Sequence, residues 1–87
     1  QFKVSARKNK YLGQWASQIL GYDQEKEKEY IQAVIKSDFE EAGDEDVIRK
    51  VAFDLDAAGK PITADALRSR LAELMIEAKT QVMSEIT

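Results

Sequence analysis

The sequence predicts an all-α fold, a single-domain four-helix bundle, on three observations. Apolar residues recur at offsets of three and four throughout the chain, which is the spacing of one helical face. No run alternates with a period of two between turn residues, so no strand is expected. Breakers stand where the periodic runs stop, at Gly21, at Gly43 and at Gly59 followed by Pro61. With 87 residues the chain is long enough for one core and too short for a second. Residues 1–87 are therefore expected to form one domain with helices near 2–20, 24–40, 45–58 and 64–85.

The first helix carries Leu12, Trp15, Ala16 and Ile19 on its apolar face, and Gly21 supplies a left-handed stop. A lone tryptophan on such a stripe is expected in the core. Asp23 is placed to cap the second helix, whose stripe is Tyr30, Ile31, Val34, Ile35 and Phe39. Asp44 is the expected cap of the third helix, with Glu45 and Asp46 in its first turn, where the helix dipole favours carboxylates. Its buried face is expected to be Val47, Ile48, Val51, Leu55 and Ala58. Thr63 caps the last helix, Ile62 can staple against Leu67, and the stripe continues through Leu71, Leu74, Met75, Ala78 and Val82.

Composition removes most enzyme chemistry. There is no cysteine and no histidine, hence no disulfide, no thiolate, no imidazole base and no common transition-metal ligand. The sequence thus points to no catalytic residue and to no metal site. The acids between Asp38 and Asp46 lack the alternate-position spacing of a calcium loop, and Asp44, Glu45 and Asp46 already have structural roles as cap and first-turn residues of the third helix. Gly59-Lys60 is followed by proline and is no phosphate loop. No apolar run approaches the ~20 residues that cross a bilayer, and no signal peptide is visible, so the expected location is the cytoplasm.

The net charge of −3 hides a strong polarity. Residues 1–22 carry Lys3, Arg7, Lys8 and Lys10 and no acid, residues 23–46 carry ten acids against three lysines, and the remainder balances. Lys3, Arg7 and Lys10, at offsets of zero, four and seven, share one face of the first helix with Lys8 beside it. An isoelectric point near 4.9 argues against a nucleic-acid partner. The basic face instead fits an acidic protein surface, or the protein's own acidic middle. Phe2, Tyr11 and Tyr22 lie off the apolar stripe or at helix ends, where they serve as partner anchors or as end packing.

Two stretches carry a resemblance. Ala6-Arg7-Lys8-Asn9-Lys10-Tyr11-Leu12-Gly13-Gln14-Trp15-Ala16 and Ser37-Asp38-Phe39-Glu40-Glu41-Ala42-Gly43-Asp44-Glu45-Asp46-Val47, followed by Arg49-Lys50, resemble the hallmark stretches of the zeta subunit, the ATPase inhibitor of alphaproteobacterial F-type ATP synthases. The resemblance spans essentially the whole chain. It implies a four-helix regulatory protein, not an enzyme, that binds the catalytic subunits of the synthase head and blocks ATP hydrolysis. It further implies a monomer, peripheral to the inner membrane through the synthase, with no cofactor required and binding of ATP or ADP as a secondary property without assigned residues. Inhibitory members carry about twenty residues ahead of the position of Phe2, a segment absent from this chain, so the globular part is expected to act as docking anchor. Phe2, Lys3, Arg7 and Lys10, which continue that segment, are the expected partner-binding residues. Two other classes stay open: a helical adaptor for an unrelated protein, and a small nucleotide-binding module.

Overall fold

The computed structural model describes residues 2–38 and 44–86, the side chains of Phe2 and Ile86 excepted. It contains four helices, α1 (Phe2–Leu20), α2 (Gln24–Ser37), α3 (Glu45–Ala57) and α4 (Ala64–Ile86), and no strand among the described residues. The expected all-α four-helix class is the class observed. The expected last turn of α2 meets its C-cap at Asp38, and Phe39 to Gly43 lie outside the described residues.

The helix ends follow from local chemistry. Asp23 adopts an extended backbone and its carboxylate accepts from the Lys26 amide at 2.8 Å, satisfying a donor that the first turn of α2 leaves free. Asp23→Ala is expected to cost about 1 kcal/mol of stability, read as a lower urea midpoint at unchanged slope; an unchanged midpoint would mean that water replaces the cap. Thr63 caps α4 in the same way, accepting from the Ala66 amide at 3.1 Å. Gly21 and Gly59 both sit at φ +76°, and the amides of Tyr22 and Lys60 turn back to the carbonyls of Ser17 and Leu55. These are Schellman closures, in which a residue without Cβ takes the left-handed position.

Helix α1 is the centre of the molecule. It runs antiparallel to α2, with Asn9 against Asp38 and Gly13 against Ile31, and antiparallel to α4, with Arg7 against Glu85 and Trp15 against Arg70. Helix α3 packs against the other three, whereas no Cα of α2 comes within 8 Å of a Cα of α4 among the described residues. The core joins Leu12 and Ala16 of α1, Val34 of α2, Val47, Val51 and Leu55 of α3, and Leu67 and Leu71 of α4. Each is essentially removed from water, worth on the order of 1.5–3 kcal/mol per large side chain.

Three expectations are corrected. Trp15 is half-buried at the edge of the core, with the Arg70 guanidinium 5.6 Å from its ring, because it stands on the shoulder of the stripe rather than its centre. Ala58 is exposed, since α3 ends one residue earlier and the chain turns away toward Gly59. Asp44 occupies the N-cap position of α3 but makes no capping hydrogen bond, because its carboxylate is engaged by Lys8. Tyr22 takes the packing role: it is half-buried and meets Tyr30 edge to face at 5.7 Å.

Candidate functional site

The four basic residues of α1 separate into two groups. Lys3 and Lys10 are exposed, Arg7 is half-buried beside them, and the three line a groove of about 240 Å³ with Ala6 and Ile35. Phe2 begins α1, and its side chain lies outside the described residues. The three basic members of the expected face are therefore brought together. Arg7 spends its guanidinium on Glu85 of α4, donating to both carboxylate oxygens at 2.6 and 2.9 Å. That hydrogen-bonded pairing, with Tyr11 adding to it, raises the Arg7 pKa further above its ordinary value.

Lys8 belongs elsewhere. It is 5 % exposed and turned inward, and its ammonium donates to Asp44 at 2.6 Å. Its neighbour Asn9 is 1 % exposed and donates through Nδ2 to Asp38 at 2.9 Å. Consecutive residues of α1 thus hold the two ends of the acidic connection between α2 and α3. The basic helix does pair with the protein's own acidic middle, through Lys8 and Asn9, while Lys3 and Lys10 stay at the surface.

Sequence reasoning set Lys8 beside the basic face, with the protein's own acidic middle as one of two partners for that face, and passed over Asn9. The signal was present: Lys8 and Asn9 stand four and three residues before Leu12, so they prolong the apolar stripe itself. A polar side chain at such a position must find a partner, and the nearest are the carboxylates at the loop ends.

A second groove, about 340 Å³, opens between α1, α3 and α4 over Ile48, Leu71, Ala72 and Met75. Its rim is ionic. Arg68 donates to both oxygens of Glu45 at 2.8 and 2.9 Å and to Asp65 at 2.7 Å. Hydrogen bonding to Arg68 holds the Glu45 carboxyl below the usual range, and hydrogen bonding to Arg7 does the same for Glu85. A carboxylate with a lowered pKa stabilises the fold above its unfolded value and loses that contribution as the pH falls through the folded one. Protonation therefore removes these two carboxylates from their bridges only in acid, below the ordinary value of 4.5.

Deeper polar groups are structural in character. Burial and the neighbouring Asp54 carboxylate push the Tyr30 phenol far above its ordinary range, and its hydroxyl lies near Asp54 without closing a well-formed hydrogen bond. Asp46, 7 % exposed, accepts from Arg49 within the first turn of α3. Among the described residues no group of three or more acids is placed to hold a metal ion, and no helix is long and apolar enough to cross a membrane.

A small four-helix domain whose surface carries a basic helical face, an ionically rimmed groove and exposed apolar side chains at Phe53, Ile76 and Met83 has the features of an interaction protein. A family model described as ATPase inhibitor subunit zeta matches residues 1–81, and the chain belongs to that family. Its family is thus one of inhibitor subunits associated with ATP synthase, a description of regulators rather than catalysts. The chain is also similar to a protein whose structure was determined by NMR in solution, at 44% identity, covering 98% of this chain and 96% of that one with a TM-score of 0.84. No curated protein matches.

Proposed function

We propose that this domain docks on the catalytic head of the F-type ATP synthase through the outer face of α1, with Lys3, Arg7 and Lys10 meeting an acidic surface and Phe2 at its edge. The observation that carries the reading is the division within the basic helix. Lys8 is consumed by the fold, whereas Lys3 and Lys10 are exposed on one face and neither closes an ion pair among the described residues. Exposed like charges on one face repel each other and add little to stability, so their use is intermolecular.

On this reading the domain is a cytoplasmic monomer, bound to the membrane-attached synthase by protein contacts and catalysing nothing itself. It is the anchor of an inhibitor of ATP hydrolysis, and a segment preceding α1, of the kind the family's inhibitory members carry, is the effector.

The test is ATP hydrolysis by synthase depleted of its own zeta subunit, titrated with this chain and with a form carrying the family's N-terminal extension. Inhibition by the extended form, relieved competitively by this chain, supports the anchor. Failure of both to bind removes it. Lys3→Glu with Lys10→Glu should weaken competition about tenfold at low salt and leave thermal stability unchanged, because rim charges act mainly on encounter and are screened by salt. Equal competition by wild type and the double variant would move the docking surface off α1.

A further inference from the structure

We infer that Glu85, on the last turn of α4, is a built-in competitor for the basic face of α1, occupying the place that a carboxylate from the docking partner would take. The inference rests on the docking reading and adds a regulation to it. Arg7 gives Glu85 both arms of its guanidinium, at 2.6 and 2.9 Å, so its paired donors are already spent. Lys3 and Lys10 line the same groove as Arg7, so the carboxylate is held at the member of the face that stands between two further cations. The molecule displays, within itself, the ligand chemistry this face accepts: a carboxylate presented from the side of a helix.

The pair is built to release. Its side chains are 25% and 47% exposed, and such exposed pairs couple weakly, so opening costs a factor of roughly two to five. Val82 is the last buried side chain of α4 among those described, and Met83, Ser84 and Glu85 are exposed beyond it. Opening the clasp therefore disturbs no core residue. A partner carboxylate that displaces Glu85 takes the same place on Arg7, between the same two further cations, whereas one that meets the closed clasp finds Arg7 engaged and an acid in its path. The partner surface thus carries aspartate or glutamate on a helix, and α4 sets the threshold for its entry.

The experiment compares wild type, Glu85→Gln and Glu77→Gln for binding to zeta-depleted synthase and, separately, to a helical peptide of alanine and glutamate at low salt. Glu77 lies on the same exposed helix, so its variant makes the same change in net charge away from Arg7. Glu85→Gln should tighten binding roughly two- to fivefold, Glu77→Gln distinctly less, and the gain should vanish when Arg7→Ala is also present. A gain that is equal in the two glutamine variants, or that survives the loss of Arg7, overturns the competitor. If the peptide shows the expected pattern while no form binds the synthase, the competitor stands and the docking partner is wrong. If neither probe distinguishes Glu85→Gln from wild type, the inference fails.

Discussion

Replacing Asp44 by asparagine is expected to destabilise the domain by about 2–3 kcal/mol, while replacing Lys8 by methionine is expected to cost less than about 1 kcal/mol. The two variants break the same 2.6 Å ion pair from opposite sides, and the asymmetry comes from burial. The Lys8 side chain is 6% exposed, so without Asp44 it must stay unpaired in a poor dielectric or drag its segment of α1 into water. Asp44 is 43% exposed and can be rehydrated when Lys8 is gone. That exposure also keeps the first figure below the roughly 3–5 kcal/mol of a fully buried pair. In a domain of this size the Asp44 variant should melt some ~8–20 °C lower. The double variant should recover most of the loss, because methionine leaves no charge to strand. Chemical denaturation followed by circular dichroism measures all three, and equal small losses in the two single variants would show that water, not Asp44, satisfies the lysine.

That pair also marks the boundary of what the sequence discloses. Helix positions were legible because each depends on neighbours within four residues: the stripe through Leu12, Ala16 and Ile19, the cap at Asp23, the left-handed glycines at Gly21 and Gly59. The inward turn of Lys8 and Asn9 depends on carboxylates 36 and 29 residues away, and only the assembled bundle brings those to α1. Asp44 shows the same competition from the other side. A free aspartate before a helix caps it, but a buried ammonium at 2.6 Å is the stronger claimant, and the local rule yields to the tertiary contact. The exposed part of the basic face was legible because Lys3, Arg7 and Lys10 need only helical spacing to come together. Glu85 was not, since its approach to Arg7 spans 78 positions and is set by the antiparallel packing of α4 on α1.

The same limit explains Gly13, a glycine in the interior of α1 with no turn to make. By local rules it is a defect, since alanine in a helix interior is favoured over glycine by roughly 1 kcal/mol. Packing reverses that preference. A Cβ built on Gly13 would lie 3.0 Å from Ile31 Cγ1 and 3.1 Å from the Ile31 Cα on α2. The first of these could move by a rotamer change, but the second is backbone, so relief requires α1 and α2 to separate along a seam that includes Val34 and Ala16. Overpacking of that kind costs about 1–3 kcal/mol, which exceeds the propensity gain. Gly13→Ala is therefore expected to be net destabilising by up to about 2 kcal/mol and Gly13→Val by about 3 kcal/mol or more, in the order of side-chain volume. Urea unfolding decides the matter: a stabilised Gly13→Ala would show that the helices separate freely and that propensity governs this position. Separation of α1 from α2 would also pull Asn9 from Asp38, so the two variants should loosen the acidic connection that Lys8 and Asn9 hold, visible as faster amide exchange at Asp38 and Asp44.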